Sequence, residues 1–207
     1  MAKIIQFAPA ALLAVLLASL ATVHGCDTAA ELAADSARTH FHGGRDLLDL
    51  GHERAKPSPL TLLPQDKGDE SPACLDGSPY GFYFRPSATK STKWTISIEG
   101  GGWCYDEAAC FSRSKMSLGS SKQWAKTAGC GCMNANDDGG IDNDCNCLYM
   151  PYGDGASFSG YRAKPWPVPG QNASLTFRGI KNFDATIEWA LRQGLKDATE
   201  FVLTGGK

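Results

Sequence analysis

Alternating apolar and polar residues predict β-strands in the middle of the chain. The segment YGFYFRP (residues 80–86) places Phe82 and Phe84 on one face of a strand. The segment KWTISIE (93–99) alternates in the same way, and CLYMPY (147–152) is a short apolar run that ends at Pro and Gly. We therefore expect three strands in this part of the chain.

A stripe of apolar residues at three- and four-residue steps predicts one helix after these strands. Ser174 or Thr176 is expected to cap its start, and Gly194 lies near its end. TEFVLTGG (199–206) follows as a strand, so strand, crossover helix and strand form a parallel βαβ unit in an α/β fold. The stripe comprises Phe177, Ile180, Phe183, Ile187, Ala190, Leu191 and Leu195.

The first 25 residues have the pattern of a secretory signal peptide. Lys3 precedes an almost wholly apolar run from residue 4 to residue 23, and small residues stand at the two key positions before Cys26. The densest apolar part is short for a bilayer, and no later segment is long enough to span one. Secretion is the expected route, with no membrane attachment after the signal peptide is removed.

Residues 26–73 are polar and rich in Ala, Asp, Ser and Pro, which predicts a disordered linker or pro-segment. The folded domain is then expected over residues 74–207.

The net charge of −2 comes from 20 basic and 22 acidic residues without a basic block, so nothing indicates nucleic-acid binding. A chain of 207 residues with this composition is long enough for one globular domain.

Eight cysteines in a secreted chain predict disulfides rather than a metal site. Two C-x-C pairs have spacing too tight for the usual zinc knuckle, so no metal is expected. Cys104 and Cys110 bracket a short loop and could pair with each other, which would stabilise it by ~2 kcal/mol. The other pairings stay open; the remaining cysteines are Cys26, Cys74, Cys130, Cys132, Cys145 and Cys147.

Three glycines follow the second predicted strand directly, in IEGGGWC (98–104). Glycines let backbone N–H groups turn towards a ligand, as an oxyanion-binding loop requires, although a tight turn has the same composition. The dinucleotide fingerprint and the Walker A sequence are both absent.

Two further loops carry candidate chemistry. The aspartate-rich segment 134–146 invites Ca²⁺, but it lacks the EF-hand glycine and glutamate, so a solvated loop held by disulfides is favoured. Asn172 begins the sequon NAS and is an expected N-glycosylation site of a secreted protein.

Several segments together resemble the pectin acetylesterase family, which includes Notum-type carboxylesterases. They are CLDGSPYGFYFRP, KWTISIEGGGWCYDEAACFSRSKMSLGSSKQW, YMPYGDGASFSG, LTFRGIKNFDATIEWAL and FVLTGG, in the family's order from Cys74 to Gly206. The resemblance implies an α/β-hydrolase fold with a mostly parallel sheet, of which this chain is the incomplete N-terminal part. It also implies a secreted esterase with a Ser-His-Asp triad and no cofactor.

The resemblance also implies roles for individual residues. Gly101 and Gly102 match glycines whose N–H groups help to form an oxyanion hole, and Trp103 lies beside the acyl pocket. Cys104 and Cys110 match a local disulfide, whereas Asp154 receives no catalytic role. The implied partner is an acetylated polysaccharide or other acyl ester, outside the cell and in the cell wall.

The chain departs from the family's pattern at decisive positions. Gly153 stands where the family usually has Cys, and Lys207 stands where G-x-S-x-G would place the nucleophilic Ser. No histidine follows His52, although a triad needs an imidazole. The expectation is an enzyme-derived chain without Ser, Asp and His, inactive as it stands. The alternative is a natural short form that acts as a binding or regulatory module.

Overall fold

The structure is a computed structural model that describes residues 57–65, 71–133 and 144–206, together with the backbone of residues 5–6 and 141–142. The strands are β1 (Ile5–Gln6), β2 (Pro57–Leu62), β3 (Gly81–Arg85), β4 (Lys93–Ile98), β5 (Thr127–Gly129), β6 (Cys132–Met133), β7 (Ile141–Asp142), β8 (Asn146–Met150), β9 (Trp166–Pro167), β10 (Ser174–Leu175) and β11 (Glu200–Gly205). The α-helices are α1 (Glu107–Arg113) and α2 (Gly179–Arg192), with single 3-10 turns at Ser121–Gln123 and Leu195–Asp197.

The main sheet has the strand order β1-β11-β4-β8-β3-β2-β5. Strands β11, β4 and β8 run parallel to one another, and β3, β2 and β5 extend the sheet by antiparallel pairing. Helix α2 connects β8 to β11, so the predicted parallel βαβ unit is present, with β4 between its two strands. The three predicted strands and the final strand are confirmed within one or two residues.

The apolar pattern of these strands places them in one hydrophobic core. Trp94 and Ile96 of β4 are buried, and Phe82 of β3 packs against Trp189 of α2 with ring centroids 4.5 Å apart. Tyr83, expected on the opposite face from Phe82, is buried as well, because its ring packs beside Tyr149 on the other face of the sheet. Both faces of β3 are therefore covered.

Helix α2 contains the predicted stripe from residue 180 to residue 191, with Ile187 and Ala190 buried and the other members partly buried, but it begins differently from the prediction. Its N-cap is Arg178, and no side chain caps it, because Ser174 lies in β10 and Thr176 is buried upstream of the helix. Gly194 stands after the helix with φ of +111°, a conformation that glycine adopts without steric cost. The predicted end is therefore correct and the predicted cap is wrong.

The ordered sheet begins upstream of Cys74. Residues 57–65, which composition assigns to a linker, contain β2, and Leu60 pairs with Tyr83 of β3. Pro and Ser lower the strand signal of this segment, but pairing with β3 on one side and β5 on the other supplies the missing hydrogen bonds. The linker prediction is therefore wrong for these residues.

The predicted signal peptide lies outside the described residues except for the backbone of β1, which pairs antiparallel with β11. No helix in the described ranges is long and apolar enough to cross a membrane.

Candidate active site

The carboxyl ends of the three parallel strands meet at one edge of the sheet. Gly205 of β11 is in register with Ile98 of β4, which in turn is in register with Met150 of β8. The segment of residues 100–103, here called the glycine loop, follows β4 at this edge. An α/β sheet places its ligands at such an edge, so the glycine loop lies where a site is expected.

Gly206 brings the end of β11 against the glycine loop. Its backbone N–H donates to the carbonyl of Ile98 at 3.0 Å, which prolongs the parallel ladder past the last strand residue. A methyl group built on Gly206 would lie 3.1 Å from the nitrogen of Gly100, so there is little room for a larger residue. The described end of β11 therefore lies against the start of the glycine loop.

The glycine loop presents backbone N–H groups without internal partners. In the described part of the chain, no acceptor pairs with the N–H groups of Gly101, Gly102 and Trp103, whereas Cys104 N–H donates to the carbonyl of Gly155 at 3.0 Å. Gly102 has φ of +66°, which favours glycine. Unpaired backbone N–H groups are what an oxyanion needs, and the N–H of Trp103, which the sequence analysis does not single out, is one of them.

A cavity of about 250 Å³ opens between this loop and the end of β8. Trp103 is 70% exposed at its rim, and its indole Nε1–H donates to the hydroxyl of Ser157 at 2.5 Å. The lining of the cavity combines apolar side chains with the backbone of the glycine loop. Its lining comprises Ile98, Glu99, Gly100, Gly101, Gly102, Trp103, Tyr152, Ser157, Phe158 and Gly206.

Two charged side chains, Glu99 and Arg113, form hydrogen bonds at or next to the glycine loop. Glu99 accepts a hydrogen bond from the backbone N–H of Tyr152 at 2.7 Å. Arg113 Nη2 donates to the carbonyl of Gly101 at 3.0 Å, and its guanidinium lies 5.5 Å from the ring centroid of Tyr152. The Gly101 carbonyl is thereby turned towards Arg113. Sequence reading assigned no role to either charge, because only the fold brings them together.

Asp154 is fully buried in the segment that follows β8, next to residues that line the cavity. Burial raises the pKa of its carboxyl, against the opposing effect of backbone N–H donors at Phe158 and Ala156 and of the charge on Arg113. Its oxygens accept from the Phe158 N–H at 3.0 Å and 3.2 Å. The carboxylate faces the backbone and not the cavity, so it does not act on a substrate directly.

Three disulfides lie in the described residues, and one adjoins the site. Cys104 and Cys110 are bonded with Cα atoms 4.9 Å apart, so the pairing expected for them is present and ties the end of the glycine loop to α1. Beyond the site, Cys130 pairs with Cys147 and Cys132 pairs with Cys145, which assigns two of the open pairings. These bonds join the residues before the aspartate-rich segment to the residues at its end.

Cys74 is buried with a free thiol, and burial raises its pKa to about 12. It is therefore an unreactive core residue at neutral pH.

No group of three or more His, Cys, Asp or Glu with metal-binding geometry lies in the described ranges. Most of the aspartate-rich segment falls outside these ranges, but Asp144 accepts a hydrogen bond from Ser87 at 2.6 Å.

Asn172 is exposed and lies away from the glycine loop. It adjoins a separate surface groove of about 530 Å³ that also contacts Phe111 and Lys115 of the α1 region.

Comparison with known proteins identifies relatives of this fold and site. A family model described as Pectinacetylesterase matches residues 52–207. Pectin acetylesterase 5 of Arabidopsis thaliana is 35% identical over 135 residues, covering 64% of this chain and 31% of that protein. The palmitoleoyl-protein carboxylesterase Notum of Homo sapiens is 28% identical over 142 residues, covering 65% of this chain and 27% of that protein.

A crystal structure of the Wnt deacylase Notum from Drosophila superposes with a TM-score of 0.55 at 28% identity, covering 68% of this chain and 39% of that one. The predicted α/β-hydrolase-like fold is thus confirmed. The chain spans about a third of the length of the first curated relatives it matches.

Proposed function

Since this chain belongs to the pectinacetylesterase family, a family of acyl esterases, we propose that it forms part of a secreted serine carboxylesterase that removes acetyl groups from a polysaccharide. The observation that carries the proposal is the contact between the glycine loop and Gly206 at the end of β11. This contact would set a nucleophile after β11 beside unpaired N–H donors. An acyl-transfer site needs its nucleophile next to its oxyanion donors.

The N–H groups of Gly101 and Gly102 are proposed to bind the oxyanion, with the N–H of Trp103 as a further donor. They are fixed in the resting protein, so the transition state gains their hydrogen bonds without reorganisation. The ring of Trp103 is proposed to border the acyl group. The cavity of about 250 Å³ beside Trp103 is proposed to receive the acyl group.

The nucleophile itself is proposed to occupy the position after Gly206, which is Lys207 in this chain. A lysine ammonium has a reference pKa of ~10.4 and is a poor nucleophile at neutral pH, and its acyl product would be a stable amide. With no histidine after His52 to act as a general base, the 207 residues alone are proposed to be inactive.

A second candidate rests on the same two sequence facts. A natural chain with Lys207 and without a downstream imidazole would keep the cavity and lose turnover, as a non-catalytic binding or regulatory module does. Its expected ligand is the same class of acylated polysaccharide.

The setting proposed for the protein is extracellular, including the cell wall, with an N-glycan on Asn172. Three disulfides favour an oxidising compartment, and the exposure of Asn172 leaves it open to glycosylation. No cofactor and no nucleic acid enter the proposal.

The test begins with the transcript across the codon for Gly206, followed by expression of every protein that it encodes. Each protein is assayed for acetate release from acetylated pectin and for labelling by a fluorophosphonate, which reacts with activated serines. We expect both signals from a form that continues after Gly206 with Ser and, further on, with the Asp and His of a triad, and neither from the 207-residue chain. A folded form with all three residues that releases no acetate from pectin or from p-nitrophenyl acetate would refute the esterase proposal. A message that ends after Lys207, with pectin binding, would favour the second candidate.

A further inference from the structure

The five residues from Asp154 to Phe158, here called the 154–158 turn, hold the glycine loop at two points. The carbonyl of Gly155 accepts from the N–H of Cys104 at 3.0 Å. The hydroxyl of Ser157 accepts from the indole of Trp103 at 2.5 Å. The main chain and the side chain at the end of the glycine loop are therefore both fixed by this turn.

The turn has an uncommon backbone. Gly155, Ser157 and Phe158 have φ of +72°, +52° and +61°, all in the left-handed region. Residues with a Cβ pay roughly 1 kcal/mol or more for this conformation. They keep it only where their surroundings impose it, so the turn must be held by other groups.

The Asp154 carboxylate is the group that closes the turn on itself. It is fully buried and accepts from the N–H of Ala156 at 3.3 Å and from the N–H of Phe158 at 3.0 Å. Helix α2 begins against it, and a methyl group on Gly179 would overlap the carboxylate. The carboxylate thus fills a closely fitted space between the turn and the helix.

A second contact aligns the turn with the strand edge. The hydroxyl of Tyr152 accepts from the N–H of Ser157 at 2.8 Å, and the N–H of Tyr152 donates to Glu99, which directly precedes the glycine loop. Tyr152 therefore links the 154–158 turn to Glu99, the residue before the glycine loop.

We propose that Asp154 is a positioning residue for the glycine loop: it fixes the left-handed turn, and the turn places the Gly155 carbonyl and the Ser157 hydroxyl where they hold Cys104 and Trp103. The structural part of this proposal stands on these contacts alone. Its catalytic consequence rests on the proposed esterase function, with Asp154 acting through the loop and never touching the substrate.

Nuclear magnetic resonance on the 207-residue chain tests the structural part. In Asp154→Ala, we expect amide exchange at Cys104 to speed up at least tenfold and the Trp103 indole proton to shift upfield, while amides of β4 and β8 keep their protection. Asp154→Asn retains one acceptor oxygen and should lie between the two. Asp197→Asn changes an exposed carboxylate and serves as the matched control.

Unchanged exchange at Cys104 and an unchanged Trp103 indole in folded Asp154→Ala would overturn the proposal. Equal loosening of β4 and β8 would also overturn it, since Asp154 would then be a general stability residue. If Asp154→Ala does not fold, Ser157→Ala decides, because Ser157 is exposed. The Trp103 indole should then shift while the Cys104 amide stays protected, and an unmoved indole would contradict the proposal.

The catalytic part is tested in a form that carries Ser after Gly206 and a downstream Asp and His. We expect Asp154→Ala to lower kcat about tenfold or more with a smaller change in KM, partial rescue by Asp154→Asn, and wild-type values for Asp197→Asn. If no form hydrolyses esters, the proposed function fails, and the resonance data still decide whether Asp154 positions the loop. An active enzyme whose kcat is insensitive to Asp154→Ala would limit Asp154 to a role in structure.

Discussion

A methyl group built on Gly153 would lie 3.1 Å from the Sγ of Cys74. Across a disulfide, the Cβ of one cysteine lies about 3 Å from the sulfur of the other, given an S–S bond of ~2.05 Å. Gly153 also has an ordinary φ, so a side chain there meets no backbone strain. The free thiol of Cys74 thus stands opposite a position that is suited to a disulfide partner.

We therefore predict that Gly153→Cys forms a disulfide with Cys74. After denaturation, the variant should show one labelled thiol fewer than the wild type, and its unfolding free energy should rise by at most about 4 kcal/mol. Gly153→Ser is the control, because it adds similar bulk near Trp124 and Tyr80 without a bond and should destabilise the protein. One labelled thiol more than the wild type would show that the bond does not form.

Asn182 of α2 is predicted to be the main polar tether of the helix. Its side chain is fully buried, accepts from the Ala73 N–H at 2.8 Å and donates to the Ala73 carbonyl at 2.9 Å. Asn182→Ala leaves both groups of Ala73 buried and unpaired, so urea unfolding should show a loss of about 2 kcal/mol or more.

The control for this variant is Glu188→Ala on the exposed side of the same helix. Glu188 pairs only with Arg192 at 3.8 Å in solvent, so its removal should cost less than ~0.5 kcal/mol. Equal losses for the two variants would contradict the assignment of Asn182 as a tether.

Asp76 should make stability depend on pH in the acid range. Burial alone would raise the pKa of its carboxyl, but hydrogen bonds from Ser78, Ser120 and Lys122 together hold the pKa below its ordinary value. A lowered folded-state pKa contributes stability above the unfolded-state pKa of ~3.9, and the contribution is lost as pH falls through the folded-state value.

Asp76→Asn should accordingly be less stable than the wild type at neutral pH, and the difference should shrink as pH falls below ~4. Urea unfolding of both proteins across this range measures it. Comparison with the variant is necessary because the raised pKa of Asp154 acts in the opposite direction, lowering stability as pH rises. A difference that is constant with pH would contradict the role given to Asp76.

The hydrophobic pattern was sufficient to predict the parallel strands and helix α2 because these elements bury regular stripes. It failed at β2, where Pro57 and Pro59 weaken the strand signal and pairing with neighbouring strands decides the outcome. The predicted apolar stripe also leaves out Asn182 and Thr186, although both are fully buried in α2. Such positions depend on partners that are far away in sequence.

Gly101 and Gly102 could be singled out from the sequence because they follow a strand directly and match glycines of the family that the chain resembles, and their catalytic role stays a prediction. Glu99, Arg113 and Asp154 could not, since each acts through one backbone group that only the fold brings within reach. Local composition identifies the loop that faces the cavity. The residues that hold the loop in place require the three-dimensional structure.

The central claim is that the glycine loop is the oxyanion half of an esterase site. The most direct measurement is kcat for p-nitrophenyl acetate in a form that carries Ser after Gly206 and a downstream Asp and His, compared between wild type and Gly102→Pro. Proline removes the N–H and cannot adopt the φ of +66°, so kcat should fall by about 10² or more. Gly170→Pro removes a glycine of similar φ, +72°, away from the cavity and should leave kcat unchanged. An unchanged kcat in folded Gly102→Pro would contradict the claim.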